Sequence, residues 1–336
     1  MAHRSSDESS ILKRILGSTA HALQDHIGHG IRLGIGDDAA LFHPNRAFET
    51  ILTCDWFLEG THFLRDKHPP DSVGWKCLAR ALSDVAAMGG KPRCFLLSLA
   101  LPESHTRSWL DEFLGGLRRA ARKFECVLAG GDTTRQQKIL INVAVVGEVR
   151  TSRAVLRSGA RAGDFLCVSG RLGEAELGLR ILRKSSRGAA SQNRLTKKHL
   201  YPEPRLALGQ WLANRGLATA MMDLSDGLSS DLPRLCAASG VGARVESARI
   251  PMMQISNSIR GRAIDPLQLA LHGGDDYELL FTVSPHKLKL LPKSFRGLTL
   301  THIGRITEKS GPVVLEQDGR ERPLAPGGWD PFRRVR

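Results

Sequence analysis

The order of its apolar segments is the feature that most restricts how this chain can fold. Short apolar runs typical of strands, such as "TILTCD", "CFLLSLALP" and "ILINVAVVGEV", alternate with longer segments whose apolar residues recur at helical spacing. One such segment predicts a helix over 72–88, which Gly89 and Gly90 would end. This alternation predicts an α/β or α+β protein, and 336 residues are enough for two domains.

A change of pattern near residue 150 predicts the boundary between the two domains. Before it, "CVLAGGDTT" predicts a strand that runs into a glycine turn, and after it "SGARAGDFLCVSG" begins a new strand unit. We therefore expect domains over 1–150 and 151–336. Two segments are predicted as loops: the glycine-rich segment 28–36, and the basic segment 184–199, which we expect to be mobile.

The net charge of +14 and pI near 10 raise the question of nucleic-acid binding. The basic residues are scattered, however, and aromatic residues make up only 5% of the chain, so no stacking platform accompanies them. Nucleic acid is therefore not the partner we expect. A positive surface that attracts anionic substrates is a milder interpretation, and the scatter is equally compatible with an ordinary basic surface.

The sequence also indicates a compartment. No apolar run approaches the roughly 18 residues that a membrane span needs, and the N-terminus lacks the apolar stretch of a secretory signal. We therefore expect a cytoplasmic protein with no membrane partner. Its cysteines form no CxxC pair, which predicts reduced thiols rather than a zinc site; they are Cys54, Cys77, Cys94, Cys126, Cys167 and Cys236.

Aspartates recur beside small residues where predicted strands and helices end. In α/β proteins these ends form the mouth at which ligands bind, and carboxylate oxygens are the ligands that Mg²⁺ prefers. Mg²⁺ in turn shares its coordination with phosphate oxygens, and neither a P-loop nor the protein-kinase motifs are present. We predict a nucleotide-phosphate site built from some of these residues: Asp37, Asp38, Asp55, Asp84, Asp132, Asp223, Asp226, Asp275 and Asp276.

Each of these aspartates also has a purely structural explanation. Asp223, Ser225 and Asp226 would serve equally as caps of the helix that follows them, and Asp132 as an Asx-turn residue. Asp84 lies inside a predicted helix, where capping does not explain it, although a solvated helix face does. Their joint occurrence favours a common site.

The motifs themselves resemble a known family. "GIGDDAAL", "TCDWFLEGTHF", "LARALSDVAAMGGKP", "LAGGDTTR", "LRSGARAGD", "MDLSDGLSSDL" and "GGDDYELLF" occur in the order and approximate spacing of the thiamine-monophosphate kinase family, over about residues 8–335. The resemblance places the chain in the superfamily of aminoimidazole-ribotide synthetase and selenophosphate synthetase.

The resemblance implies a fold, an assembly and an activity. The N-terminal α/β domain would bind ATP and magnesium, and its sheet would join that of a second subunit in a dimer barrel, beside an α+β C-terminal domain. The implied activity is that of a phosphotransferase with a phosphate acceptor: ATP-dependent phosphorylation of thiamine monophosphate to thiamine diphosphate. Phosphoryl transfer needs positioning and charge neutralisation, and the acceptor phosphate is already ionised, so we assign no general base.

By motif position, the resemblance also implies site residues. The ligands of several Mg²⁺ ions would be Asp38, Thr53, Cys54, Asp55, Asp84, Asp132, Asp223 and Asp226, with Asp37 supporting its loop. The contacts to ATP would be Gly131, Asp132, Arg157 and Ser225. The contacts to thiamine monophosphate would be His62, Asp275 and Trp329.

Two residues depart from the family pattern. Cys54 stands where the family usually has Thr or Ser, and a thiol is a poor Mg²⁺ ligand, so only its backbone carbonyl is expected to contribute. Asp275 stands where the family usually has Glu, one methylene longer. Four of the implied contacts also have a purely structural explanation. His62 would be an ordinary, partly buried histidine and Trp329 a residue that covers the core. Arg157 would be a surface residue and Asp275 a turn residue.

Two other functions compete with the kinase. The first is another activity of the superfamily that uses ATP to activate an oxygen atom, but the sequence has neither an N-terminal catalytic cysteine nor a C-terminal cysteine tail. The second is a non-catalytic nucleotide or nucleic-acid binder, against which the intact set of predicted metal carboxylates argues.

Overall fold

The computed structural model describes residues 11, 13–15, 17, 30–35, 39–185, 194–253, 264–309 and 311–332. By their contacts these residues form two compact units. The first contains the described residues up to Val85, with Gly90–Ser152 and Ser185; the second contains Ala86–Gly89, Arg153–Lys184 and the described residues from Arg194 onward. In this described part of the chain, no helix has both the length and the hydropathy that crossing a membrane requires.

The first unit is built on a four-stranded sheet in the order β3-β6-β4-β5, beside a two-stranded hairpin β1-β2. Only the β4–β5 pair is parallel within the larger sheet. The strands are β1 Ile31–Leu33, β2 Leu41–Phe42, β3 Phe48–Leu58, β4 Lys91–Leu101, β5 Val127–Arg135 and β6 Leu140–Arg150. The helices are α1 Pro70–Ala87 and α2 Ser108–Lys123, with a 3₁₀ turn at Glu103–His105.

The two faces of this sheet differ. Side chains alternate along a strand, so Ile51 and Phe57 of β3 are buried on the face that α1 covers, while Leu52 and Trp56 are 75% and 55% exposed on the other. Leu96 of β4 lies on the same side as Leu52 and Trp56 and is 42% exposed. We call this side, which carries Leu52, Trp56 and Leu96, the open face.

Two glycines allow the helices of the first unit to pack closely. A Cβ on Gly74 of α1 would lie 2.0 Å from the carbonyl oxygen of Phe113, and a Cβ on Gly116 of α2 would lie 1.8 Å from that of Asp71. Neither contact leaves room for a side chain. The close approach is reinforced at one end by an ion pair between Arg119 and Asp71.

The second unit is an α+β unit around an eight-stranded sheet in the order β14-β13-β9-β12-β7-β10-β8, with β11 paired to β12. Only the β13–β9 pair is parallel. The strands are β7 Phe165–Ser169, β8 Ala218–Leu224, β9 Val241–Glu246, β10 Glu278–Val283, β11 Ser294–Phe295, β12 Leu298–Lys309, β13 Val313–Gln317 and β14 Arg320–Pro323. The helices are α3 Glu174–Lys184, α4 Lys197–Leu200, α5 Leu206–Asn214, α6 Leu228–Ser239, α7 Pro266–His272 and α8 Pro285–Leu288.

An apolar core joins the central strands of the second unit to helices α6 and α7. Leu166 and Val168 of β7 pack there with Leu280 of β10, and Leu232 and Leu271 come from the two helices. The turns that follow β8 and precede β10 are therefore anchored to rigid elements.

Most of the predicted elements are confirmed, but one predicted turn is wrong and two predicted loops are partly wrong. "CVLAGGDTT" does not turn: β5 runs through both glycines, because a Cβ on Gly131 would lie 1.9 Å from the Leu97 carbonyl oxygen and glycine alone permits this approach to β4. The segment 28–36 contains strand β1. Within 184–199, Arg194–Thr196 is a 3₁₀ turn and α4 follows it, while residues 186–193 lie outside the described residues.

All six cysteines are free thiols, and only Cys54 is exposed.

Candidate functional site

One group of predicted site residues lies on the covered face of the first unit. Thr53 and Asp55 are two residues apart on β3, so both side chains point toward α1. The Thr53 hydroxyl donates a hydrogen bond of 2.6 Å to Oδ2 of Asp84, which comes from α1. The structure therefore brings together Thr53 and Asp84, which lie 31 residues apart in the chain.

Arg80 and His62 complete this group. Arg80, one helical turn before Asp84, places Nε and Nη2 each 3.3 Å from the Asp55 carboxylate. Its guanidinium lies 5.7 Å from the centroid of the Phe57 ring, and the His62 ring stacks on the same phenylalanine at 5.9 Å. The backbone N–H of Leu58 donates to Nδ1 of His62, which assigns the ring proton to Nε2. We call Thr53, Asp55, His62, Arg80 and Asp84 the β3–α1 cluster.

Asp132 lies on the opposite side of the same sheet. Strand pairing aligns Trp56 with Asn142, Asn142 with Ser98, and Ser98 with Asp132, so these four side chains share the open face. Asp132 is exposed there, and its Oδ1 accepts the backbone N–H of Thr133. Within one chain, the Asp132 side chain therefore does not face the β3–α1 cluster, and its role as a magnesium ligand stays a prediction.

The donor atoms of the β3–α1 cluster fit magnesium. The carboxylates of Asp55 and Asp84 and the hydroxyl of Thr53 are hard oxygen donors, and all three residues are only partly buried. The Cys54 thiol is exposed on the open face and points away from them. Among the described residues no group of three or more His, Cys, Asp or Glu is arranged as a metal site. Asp38, with Asp37, lies outside the described residues, so its role stays a prediction.

A second group of predicted residues lies in the turn after β8. Asp223 is buried at the end of the strand, and Ser225 and Asp226 follow it, both partly exposed. A single carboxylate oxygen, Oδ2 of Asp231, accepts the backbone N–H groups of Ser225, Asp226 and Gly227 at 3.0 to 3.1 Å. Asp231 thus fixes the backbone of this turn, and we call residues 223–227 the β8 turn.

The charges around the β8 turn are coupled. Arg234 donates to Oδ2 of Asp226 and to Oδ1 of Asp231, and so bridges the two carboxylates. Burial and then the nearby Asp226 raise the pKa of Asp231 to about 6, although the backbone donors and Arg234 oppose that rise. One arginine therefore neutralises a pair of acids that would otherwise repel each other.

The turn before β10 is hydrogen-bonded to the β8 turn. The backbone N–H of Asp275 donates to the Ser225 carbonyl at 2.8 Å, and that of Tyr277 donates to the Leu224 carbonyl at 2.9 Å. The Tyr277 hydroxyl donates to Oδ1 of Asp275 at 2.7 Å. The predicted substrate residue Asp275 and the predicted ATP residue Ser225 are therefore neighbours.

Trp329 also reaches the β8 turn. Its backbone N–H donates to the Asp226 carbonyl at 2.9 Å, and its side chain is 44% exposed. The preceding Gly328 is required for this approach, because a Cβ there would lie 2.1 Å from the Asp226 carbonyl oxygen. The indole is thus partly exposed beside the β8 turn, and its contact with substrate stays a prediction.

Arg157 is exposed in the second unit, and the hydroxyl of Ser239 donates to its carbonyl oxygen. Its side chain can meet an anion from solvent, which fits either the predicted phosphate contact or an ordinary surface residue. Its role stays a prediction.

Sequence reasoning missed the residues that hold these groups in place. Arg80 lies four residues before Asp84 in a predicted helix, so helical spacing alone could have indicated it. Asp231 follows the "SDG" turn by four residues, but its three backbone donors had no signal in the sequence. The sequence also carried no signal for Tyr277, because its hydrogen bond to Asp275 depends on the backbone conformation of the turn.

Comparison with known proteins identifies the relatives of this chain. The family model of the AIR synthase related protein N-terminal domain matches residues 36–149, and that of the corresponding C-terminal domain matches residues 161–316. The thiamine-monophosphate kinase of Escherichia coli K12 is 37% identical over 90% of this chain and 92% of its own length. That of Bacillus subtilis 168 is 32% identical over 97% of this chain and 100% of its own length.

Solved structures agree with the sequence relatives. The thiamine-monophosphate kinase of Stenotrophomonas maltophilia K279a superposes with a TM-score of 0.78 at 35% identity, covering 91% of this chain and 97% of that one. AaThiL, complexed with AMPPCP and TMP, gives a TM-score of 0.73 at 33% identity and covers 98% of both chains. The Escherichia coli hydrogenase maturation protein HypE, at 19% identity, shares the fold alone. This chain thus has the two-domain AIR synthase-like fold, and it belongs to the thiamine-monophosphate kinase family of enzymes.

Proposed function

We propose that this protein transfers the γ-phosphoryl group of ATP directly to the phosphate of thiamine monophosphate, producing thiamine diphosphate. One observation carries the proposal: a chain 37% identical to the E. coli kinase gathers the matching motif residues Thr53, Asp55, Asp84 and His62 around one strand and one helix. The bound molecules of AaThiL, an ATP analogue and TMP, correspond to the two substrates.

We infer that the β3–α1 cluster holds magnesium. Asp55 and Asp84, with the Thr53 hydroxyl, are the donors, and Asp38 and the Cys54 carbonyl are further candidates by motif position. Mg²⁺ bound there would neutralise phosphate charge and orient the reacting oxygens. Arg80 lies beside Asp55 and adds a permanent positive charge close to the place where phosphate oxygens would bind.

The remaining proposed contacts come from residues of both units. Asp223 and Asp226 are proposed as ligands of further Mg²⁺ ions, and Ser225 and Arg157 as contacts to the ATP phosphates, together with Gly131 and Asp132 of the first unit. His62, Asp275 and Trp329 are proposed to contact thiamine monophosphate. An exposed indole suits that role, because the face of its ring attracts a cationic thiazolium.

The proposed reaction needs no catalytic base. The nucleophile is a phosphate oxygen of thiamine monophosphate, which already carries negative charge at neutral pH. Catalysis then depends on in-line positioning and on neutralising the charges of donor and acceptor, which the acids, their bound cations and the arginines would provide. We propose a direct transfer without a phospho-enzyme intermediate.

We also propose that the protein is a homodimer that buries the open face. Leu52, Trp56 and Leu96 form an exposed apolar surface on a sheet, as is typical of an interface. Asp132 lies on this face, and so the dimer would bring it toward the second copy. We propose that Asp132 acts in the site of the partner subunit rather than beside Asp55 of its own chain.

The test of the activity is direct. Purified protein is incubated with ATP, Mg²⁺ and thiamine monophosphate, and thiamine diphosphate and ADP are quantified. We expect equal amounts of both products, and Asp55→Asn should lower turnover by at least roughly 100-fold, because a metal ligand is lost. Asp318→Asn, in an exposed turn between β13 and β14, is the matched control and should retain activity. Absence of both products from the unmodified protein over a range of Mg²⁺ concentrations would refute the proposal.

A further inference from the structure

The Asp275 carboxylate has a buried polar neighbour at each of its oxygens. The Tyr277 hydroxyl donates to Oδ1 at 2.7 Å, and Nδ1 of His199 lies 3.6 Å from Oδ2. The two supporting residues are almost completely buried, at 2% and 1% exposure, whereas the Asp275 side chain is 27% exposed. The carboxylate is thus fixed from the interior and still accessible to a ligand.

The backbone of this turn is unusual for residues that carry a Cβ. Asp275 has a φ of 65° and Tyr277 a φ of 50°, both in the left-handed region. Such conformations are costly outside glycine, persist only where the surroundings determine them, and cluster at functional sites. Here the hydrogen bonds to the Ser225 and Leu224 carbonyls hold the two residues in place.

His199 is fixed independently of that turn. It lies on α4, which packs against α3 at Gly178, where a Cβ would lie 3.1 Å from Cβ of His199 and 2.9 Å from the Leu195 carbonyl oxygen. Glycine at this position lets α4 approach closely. The imidazole is therefore placed beside Asp275 by helix packing and not by the flexibility of its own side chain.

We propose that Tyr277 and His199 are positioning residues, which orient the Asp275 carboxylate so that it recognises the nitrogen-containing organic part of the phosphate acceptor. The inference rests on the proposed function. A carboxylate held in this way accepts N–H donors and attracts a cationic ring, and thiamine monophosphate offers an aminopyrimidine and a thiazolium. The Asp275 carboxylate does not attract the phosphates of ATP, because both groups are negatively charged.

The first test removes only the tyrosine hydroxyl. Tyr277→Phe should raise KM for thiamine monophosphate about tenfold, because a hydrogen bond to a charged group is lost, and should leave KM for ATP within about twofold. Tyr201→Phe, which removes the only other tyrosine hydroxyl of the chain, should change neither constant. An unchanged KM for thiamine monophosphate in folded Tyr277→Phe would overturn the inference.

A double-mutant cycle then separates positioning from a direct role. Tyr277→Phe should have less than about a twofold further effect on KM when it is added to Asp275→Ala, because the carboxylate that it orients is gone. If the two effects multiply instead, Tyr277 acts independently of Asp275 and the inference fails.

His199 provides the second variant, should Tyr277→Phe not fold. His199→Asn keeps a nitrogen donor near the position of Nδ1, whereas His199→Ala does not, so the asparagine variant should have a KM for thiamine monophosphate closer to that of the unmodified protein. Equal constants in both variants would contradict the inference. Turnover by the unmodified protein is measured alongside: its absence refutes the proposed function, and its presence with unchanged variants refutes only the positioning role.

Discussion

At the scale of single residues, Asp231 has an effect that its place in a helix does not suggest. It lies in the first turn of α6, is completely buried, and accepts three consecutive backbone N–H groups on one oxygen. Its other oxygen accepts a hydrogen bond from Arg234. One side chain therefore determines the conformation of the β8 turn and the environment of Asp226.

This arrangement predicts the effect of two substitutions at Asp231. Asp231→Ala removes the acceptor of three N–H groups and one partner of Arg234, and should lower the free energy of unfolding by roughly 2–4 kcal/mol. Asp231→Asn keeps a carbonyl oxygen for the N–H groups and should lose about half as much. Urea unfolding of both variants measures the difference. If asparagine were as destabilising as alanine, the carboxamide oxygen would not be replacing the carboxylate, and the prediction would be wrong.

At the scale of elements, two adjacent glycines of α2 show how the packing of two helices determines which residue a position accepts. Gly115 and Gly116 are adjacent, but only Gly116 faces α1, where a Cβ would lie 1.8 Å from the Asp71 carbonyl oxygen. At Gly115 the nearest atom to an added Cβ is the end of the Arg119 side chain, at 4.0 Å. Glycine is therefore required at one position and merely tolerated at the other.

Alanine at the two positions should change stability in opposite directions. Gly116→Ala should lower the free energy of unfolding by about 3 kcal/mol, because α1 and α2 must move apart. Gly115→Ala should raise it by up to about 1 kcal/mol, because alanine favours the helix. Thermal or urea unfolding of the two variants decides the matter, and each is the control for the other. A loss of stability in both would show that the contact with Asp71 is not the cause.

The elements also show which parts of the molecule the sequence could predict. Periodicity predicts α1 and the strands around it, since apolar spacing is a local property, and the recurrence of aspartates in otherwise apolar segments points to Asp55 and Asp84. "GGDTT" is predicted wrongly as a turn, because the glycine at Gly131 is required by a carbonyl on the neighbouring strand β4 and not by the local sequence of β5. The support of Asp275 by Tyr277 depends on two left-handed residues, which no local pattern specifies.

At the scale of the whole molecule, the sheet of the first unit separates residues that the motifs suggested were together. Asp55 points toward α1, whereas Asp132 lies on the open face, three strands away in the sheet order. Adjacent strands lie roughly 4.8 Å apart, so the two backbones are about 14 Å apart across the sheet. If both carboxylates serve one site, we expect a second copy to supply one of them.

A hybrid dimer tests this arrangement. Asp55→Asn and Asp132→Asn, each of which we expect to be nearly inactive alone, are co-expressed with different affinity tags, and the hybrid is purified through both tags. If Asp132 acts in the partner's site, one of the two sites in the hybrid contains both normal aspartates, and about half of the unmodified activity should return. If both residues act within one chain, each site lacks one of them and no activity returns.

The open face provides the control for that experiment. Leu52→Arg, added to both chains, places a charge on the exposed apolar surface and should prevent both dimer formation in analytical ultracentrifugation and the recovery of activity. Leu290→Arg, at a leucine of the second unit that is 59% exposed, adds the same charge away from this face and should leave both intact. Recovery that survives Leu52→Arg would place the interface elsewhere, and a monomeric unmodified protein would contradict the proposed assembly altogether.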